Sequence, residues 1–505
     1  MFFLALSPIL WLILSLAFLK MPSQKACPAA LLVAFAAAYI FFAMPVQNAL
    51  TAALEGAALA CWPILLVIIA AIFTYNLSLH TKSMDVIKQM LSSVSHDRRV
   101  LAILVGWGFG AFMEGMAGFG TAIAIPASML AGMGFRPVTA IILCLVANSV
   151  PTSYGSIGIP TSTLAEITGM DPLLLAKYVS LQLLPLNIIV PFLMVMIVGG
   201  SVKAIKGVFW LTLAAGLGMA VPELLISMFL GPELAVMGAS IFIMGAVIFC
   251  AKKFKIDDPD YRMDIKSERV PLKKAVVSCM AFILIFVFLL LTSKLVPFIN
   301  EPLNMVRSSV QIYSGTGGQP YTFVWLATPG IFIFLAAFIG GKVQSASFSE
   351  MLGVLGKTLV SLRNTIITII TVIATAKVMS YSGMTAELAQ SAVDVMGSTY
   401  PVVASLVGAT GTFITGSGTS SNVLFGILQT DTAADIGANA AWLAAANAAG
   451  TSAGKMISPQ SIAIASAAVG IQGMDSEILK QAVKFFIPFI IFMGCIVYFG
   501  QLIVG

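Results

Sequence analysis

Two stretches decide how the chain is read: Ala147 to Ser162, ANSVPTSYGSIGIPTS, and Ala446 to Ser461, ANAAGTSAGKMISPQS. At an offset of 299 residues, Asn148 falls on Asn447, Thr152 on Thr451, Ser153 on Ser452, Gly155 on Gly454, Pro160 on Pro459 and Ser162 on Ser461. A self-match in fixed register means that one structural unit is used twice. The repeated residues either break helices or carry hydrogen-bonding groups, yet both stretches sit in apolar sequence. Each copy is therefore expected to be broken helix lining a polar site.

Working outward, composition sets the solvent. Of the 505 residues 59% are hydrophobic and 10% charged, with a mean hydropathy of +1.01. That is too little polar surface for a soluble globule of this size. Apolar runs near the roughly 20 residues a spanning helix needs recur from end to end, and the alternating segments of about ten residues typical of an outer-membrane barrel are absent. The expectation is an all-α polytopic membrane protein with about 11 to 14 transmembrane or re-entrant helices. The net charge of +6 reports loop topology, with the lipid bilayer as surroundings and no nucleic-acid partner.

Cys27, Cys61, Cys144, Cys250, Cys279 and Cys495 show no paired spacing, and His80 and His96 lie in one polar segment. No disulfide framework, metal site or cofactor follows from them. The opening MFFLALSPILWLILSLAFLK lacks a basic leader and a small-residue cleavage site, so it reads as a retained helix.

Spans are expected to about Phe18, then over about Ala29 to Met44 and Ala52 to Tyr75. Basic residues at Lys20 and Lys25, then at Lys82, Lys88, Arg98 and Arg99, lie two crossings apart and so share a side. The positive-inside bias makes that side cytoplasmic and the N-terminus external. Ala251 to Lys274, with eight Lys/Arg against five Asp/Glu, reads as a cytoplasmic linker between membrane halves 1–250 and 275–505. Beyond it, spans at about Ala275 to Leu291 and Tyr321 to Ile339 flank a polar external segment, and a last one covers about Ala482 to Val504.

Two regions interrupt the apolar pattern, 106–162 and 408–461. The first opens with GWGFGAFMEGMAGFGTAIAIP from Gly106, the second with GATGTFITGSGTSSN from Gly408. Gly115 aligns with Gly416 at an offset of 301, and Asn148 and Asn447 follow 33 and 31 residues later. Each repeat is thus a Gly-rich arm plus a broken stretch. Irregular backbone at membrane depth is tolerated only inside protein or along a cavity, and paired discontinuous segments point to a secondary transporter's midplane site. Their helix N-termini and free amides suit a carboxylate.

Individual residues carry competing readings. Glu114 is a carboxylate in an apolar, Gly-rich run, functional by default because burying it is costly; its alternatives are an interfacial position or a structural partner. For Glu55, near an expected helix end, a plain interfacial carboxylate is preferred. Lys455 either holds a substrate carboxylate or balances Glu114, or its stem snorkels to the surface; Lys377 is open in the same way. The Gly residues by themselves fit helix packing equally well, and a dinucleotide loop at Gly115 to Gly120 lacks its strand context. Hydroxyls at Thr152, Ser153, Thr419, Ser420 and Ser421 carry weight as a group, since single ones often bond their own backbone.

The runs FGAFMEGMAGFGTAIAI, ANSVPTSYGSIGIP, TGSGTSSNVLFGILQ and AANAAGTSAGKMISPQSIAIA closely resemble the L-lactate permease family of secondary carriers, over nearly the whole chain in order and spacing. The resemblance implies proton-coupled uptake of lactate, glycolate or related short 2-hydroxy acids across a bacterial inner membrane. It also implies inverted repeats with re-entrant hairpins, as in ion transporters. Two departures stand out: Gly418 occupies the place of an expected Asp in GSDTSSN, and Thr152, Ser153, Tyr154 and Ser156 make the first copy more hydroxylic than the usual ANTAPVAFGAIGIP.

On this reading Asn148, Thr152, Ser153, Tyr154, Asn447, Thr451, Ser452 and Lys455, with Thr419, Ser420, Ser421 and Asn422, bind a small monocarboxylate between the repeats. Glu114 takes the co-transported proton. A sodium-coupled carrier is the alternative. An intramembrane hydrolase, suggested by the Ser-rich GSGTSS turn, lacks a general base near that turn.

Overall fold

In the computed structural model of the protein, which describes residues 1–505 apart from 20, 119, 255, 257, 264–269, 294, 317, 319, 472 and 505, apolar runs form helices, of which Val46–His80 is kinked where the Trp62 backbone is extended before Pro63. Among the described residues nine are long and apolar enough to cross a membrane: Ser23–Ile40, Val46–His80, Arg98–Met116, Pro172–Gly199, Phe209–Phe229, Pro232–Phe254, Leu272–Leu291, Phe348–Tyr381 and Asp475–Val504. Pro137–Ala147 and Pro151–Thr168, bent by 61°, make a tenth if taken as one broken span. Helices suit this solvent because lipid satisfies no free N–H or C=O. The chain is a multi-pass helical membrane protein.

Sequence punctuation sets the helix starts. Asp171 accepts from the Leu173 N–H at 2.8 Å, with Pro172 at the first helical position. Ser347 and Glu350 form a capping box at the head of Phe348–Tyr381, and Asn439 caps Ala440–Ile457 through the Trp442 N–H. These side chains meet amide donors that a helix leaves without partners.

Some boundaries differ from expectation. The polar segment from Asn76 is partly helical: Val46–His80 continues through it, and Ser83–Ser92 buries Met84, Ile87 and Leu91 on one face. The span expected over 321–339 splits. Its β-prone start forms strand β2 (Tyr321–Val324), paired antiparallel with β1 (Arg307–Val310), and the helix begins only at Pro329. Of the expected linker 251–274, residues 255, 257 and 264–269 lie outside the described residues.

The elements recur in order. Ser23–Ile40, Val46–His80, Ser83–Ser92, Arg98–Met116, Thr121–Gly132, the broken pair, and Pro172–Gly199 are matched by Pro329–Val343, Phe348–Tyr381, Met384–Met396, Pro401–Thr415, Gly418–Ile436, the pair Ala440–Ile457 and Pro459–Val469, and Asp475–Val504. Packing is reciprocal. Gly155–Thr168 lies on Gly418–Ile436 as Pro459–Val469 lies on Thr121–Gly132, and Pro172–Gly199 meets Ala440–Ile457 as Asp475–Val504 meets Pro137–Ala147.

The basic segments converge on one face. There Arg99, 1% exposed, pairs with Asp97 at 2.6 Å and Asp258 at 3.3 Å, and the Met263 N–H donates to His96 O. Thr81 donates to Gln344 on neighbouring helices. The basic segments at 76–99 and 251–274 thus touch each other.

Candidate functional site

Two helical hairpins point their tips into the protein beside the broken stretches. The first joins Arg98–Met116 to Thr121–Gly132 through a turn with Gly118 and Gly120 at φ +55° and +85°; the second joins Pro401–Thr415 to Gly418–Ile436 through Gly416 at φ +70°. These left-handed positions favour glycine.

The first broken stretch departs from helix for a sequence reason. Pro151 lacks an N–H, a 3-10 turn covers Pro151–Tyr154, and Ser156, Ile157 and Gly158 take φ of 46°, 59° and 75°. Each left-handed non-Gly residue costs about 1–3 kcal/mol and persists only where surroundings impose it. One such constraint is the Ser156 hydroxyl, which donates to Ala117 O at the first hairpin tip at 2.9 Å. The second copy behaves differently. Gly450 replaces Pro151 and Ile457 replaces Gly158, and Ala440–Ile457 runs as continuous helix, breaking only at Ser458 before Pro459. The expected break is therefore extended in the first copy and confined to Ser458 in the second.

Hydrogen bonds relate several residues 299 positions apart. Lys455 Nζ donates to Gly416 O at the second tip at 3.2 Å. Lys455 and Gly416 are 299 residues from Ser156 and Ala117, so one hairpin-tip contact is made twice. This places Gly416 opposite Ala117, a shift of two residues from the sequence pairing with Gly115. Ser153 and Ser452, also 299 apart, lie Oγ to Oγ at 2.7 Å; Ser153 Oγ reaches Ala448 O and Ser452 Oγ reaches Val150 O.

Around this junction, buried polar atoms remain without partners. Glu114, 3% exposed, faces Asn148 and lies within electrostatic reach of Lys455. Glu114 Oε2 and Asn148 Oδ1 make no hydrogen bond. A methyl on Gly155 would collide with Glu114 Oε1, and one on Gly118 would reach within 3.5 Å of it. A Cβ on Gly418 would sit 3.1 Å from Thr451 Oγ1 and 3.5 Å from Thr152 Cγ2, so the N-terminus of Gly418–Ile436 opens toward both threonines. Beside the second tip lies a cavity of about 60 Å³ whose walls include Thr415, Ser417, Ser420, Lys455 and Gln460. Such a cluster offers helix-end amides, hydroxyls, a cation and one protonatable carboxyl, a donor set for a small anion.

Most other candidates are hydrogen-bonded within the protein. Tyr154 turns away: its hydroxyl donates to Ala176 O at 2.5 Å and meets Ser180, because successive residues of a 3-10 turn point in different directions. Asn447 donates to Asn422 Oδ1 and accepts from Gln429; Asn422 donates to Pro160 O, and Tyr400 donates to Gln429. Ser421 donates to Gly408 O. Gly408, Gly450 and Gly454 let Pro401–Thr415 and Ala440–Ile457 touch backbone to backbone, as small residues do between membrane helices. Thr419 is buried at the head of its helix.

Glu55 is not a plain interfacial carboxylate. It is 3% exposed and paired with Lys377 at 2.8 Å, with Tyr381 donating to the same oxygen, so Lys377 takes the ion-partner reading. The Gln429 and Tyr400 network escaped sequence reading because their spacing to Asn447 has no local period. Among the described residues no group of three or more His, Cys, Asp or Glu side chains is placed to hold a metal ion.

The family model described as L-lactate permease matches residues 1–504. The chain belongs to the L-lactate permease family. It is 44% identical to an L-lactate permease of Streptococcus iniae over 88% of this chain and 93% of that one. It is 33% identical to the glycolate permease GlcA of Escherichia coli K12, over 97% and 94%, and 32% identical to an L-lactate permease of Bacillus subtilis, over 98% and 95%. As a family member it is a carrier and not an enzyme. Among solved structures it is similar to the YdaH transporter of Alcanivorax borkumensis, at a TM-score of 0.47, 11% identity and coverage of 86% of this chain and 85% of that one. MtrF of Neisseria gonorrhoeae gives a TM-score of 0.49 at 14% identity, over 90% and 84%.

Proposed function

We propose that the protein imports L-lactate, glycolate or a related short 2-hydroxy monocarboxylate across the bacterial inner membrane by proton symport. The observation that carries this reading is the two unpartnered buried oxygens, Glu114 Oε2 and Asn148 Oδ1, with Thr152 bonded to Asn148 and the Thr451 hydroxyl near the helix start at Gly418. The acid's carboxylate takes the amides of that helix start, with Lys455 supplying positive charge. Its 2-hydroxyl bonds Thr152, Thr451 or Asn148. Glu114 carries the proton, so that anion and proton cross together and neither is left as an uncompensated charge in the low-dielectric interior.

Ser153, Ser452, Asn422 and Asn447 hold the two units in register, and the units, inverted relative to each other in the membrane, rock to alternate access. The N-terminus and the β1–β2 hairpin are external, and the loops at 76–99 and 251–274 cytoplasmic.

The family relationship supports the substrate class, since its relatives include L-lactate and glycolate permeases. The test is substrate-stimulated proton flux in proteoliposomes across a panel of short hydroxy acids. L-lactate and glycolate are expected to drive inward proton flux that Glu114→Gln abolishes while substrate exchange continues. Gradient-driven uptake unchanged in Glu114→Gln removes the proton role, and uptake driven by sodium alone replaces the coupling ion.

A further inference from the structure

A further buried carboxyl group, lacking the cationic partner that Asp97 and Glu55 have, lies outside the site just described. Glu223 follows Pro222 inside the apolar span Phe209–Phe229 and is fully buried, as is Asn187 on Pro172–Gly199. Asn187 Nδ2 donates to Glu223 Oε1 at 3.3 Å, while Glu223 Oε2 and Asn187 Oδ1 make no hydrogen bond. Two groups already joined by one hydrogen bond thus each keep an acceptor oxygen with nothing donating to it. One proton resolves both defects: an O–H on Glu223 Oε2 gives Asn187 Oδ1 its donor and closes a two-bond ring between carboxylic acid and carboxamide. Without it, an ionised carboxylate stays buried with no countercharge, which costs so much that such groups neutralise instead.

The surroundings agree with a neutral acid. Among the described residues Glu223 belongs to no ion pair; the charged residues of the adjoining helices, Lys177, Glu233, Lys252 and Lys253, do not pair with it. What faces it from Pro172–Gly199 is Asn187 and the Ser180 hydroxyl, and from the turn at 151–154 the phenol of Tyr154. Trp107, on the third neighbouring helix, donates instead to Ala215 O. Ser180 and Tyr154 are hydrogen-bonded at 2.7 Å, and Tyr154 adjoins Ser153, which crosses to the other unit.

We infer that Glu223 is a second proton-binding site, held as an acid and amide pair with Asn187 and linked through Ser180 and Tyr154 to the broken turn of the first unit. Ionising it places a negative charge beside the phenol that anchors this turn, so the turn's position depends on whether the proton is present. This inference stands independently of Glu114 and of substrate identity.

Infrared spectroscopy of the purified full-length carrier in lipid tests it. A protonated-carboxyl stretching band is expected that is lost in Glu223→Gln, whether or not Glu114→Gln is also present. Gln there keeps both bonds to Asn187, so this variant is expected to fold. In Asn187→Leu the band is expected to persist and move to higher frequency as its hydrogen bond is lost. In proteoliposomes, Glu223→Gln mimics the protonated form, so uptake is expected to extend to more alkaline pH than in the parent. A band unaffected by Glu223→Gln overturns the proposal, as does one that sodium ions remove. No frequency change in Asn187→Leu overturns the pairing, and a pH profile superimposable on the parent's overturns the link to transport.

Discussion

Single residues in this protein divide by whether their polar atoms are already used. Asn148 and Asn447 look identical in the repeat, yet Asn148 Oδ1 has no partner while Asn447 is bonded to Asn422 and Gln429. Asn447→Ala leaves buried partners unsatisfied, at about 1–3 kcal/mol for each, so a clear drop in melting temperature in detergent is expected. Asn148→Ala is expected to weaken apparent substrate affinity with much less effect on melting; equal melting losses in the two variants contradict this division. Gly155→Ala puts a methyl against Glu114 Oε1. Overpacking of that kind costs roughly 1–3 kcal/mol, and proton-driven uptake is expected to fall by about tenfold or more while Gly454→Ala, which abuts Ala409 O, harms folding instead.

At the scale of elements, each hairpin tip is tied by one side chain from the stretch that follows it, Ser156 in the first unit and Lys455 in the second. The lysine also answers the negative end of the Pro401–Thr415 helix, where cations are favoured. Lys455→Ser gives the second tip the tie that the first already uses. The carrier is expected to fold and reach the membrane, but with apparent affinity for the anion lowered severalfold, measured as the substrate concentration for half-maximal uptake. Unchanged affinity would confine Lys455 to helix capping. The inequality of the broken stretches was partly legible: Pro151 against Gly450 and Gly158 against Ile457 stand in the sequence. Which break governs the backbone depended on whether neighbours held Ser156 and Ile157 in left-handed conformations.

For the whole molecule, reciprocal packing of the two units converges on Ser153 and Ser452. If the units rock about this contact, a covalent tie there stops the cycle. The double variant Ser153→Cys and Ser452→Cys is expected to lose uptake on mild oxidation and recover it on reduction, with single variants unaffected by oxidant. Transport that continues at full rate in crosslinked protein, with crosslinking verified by mass spectrometry, excludes relative movement at that point. The basic face is held by the buried Arg99 pairs with Asp97 and Asp258, which fasten the stretch after Pro232–Phe254 to the membrane body.

By itself the sequence determined the solvent, the helical class, the doubling at 299 residues and the family, because hydropathy, helix-breaking residues and self-similarity are local or additive properties. It also singled out Glu114 and Lys455, since charge in apolar sequence is visible one residue at a time. Only the tertiary structure decided which repeated polar groups face a site and which face each other. Tyr154, one residue beyond Ser153, points to another helix; Asn447 is consumed by Gln429; Glu55 finds Lys377 more than three hundred residues away. Hydrogen-bond saturation is a property of pairs brought together by packing, and no spacing along the chain encodes it.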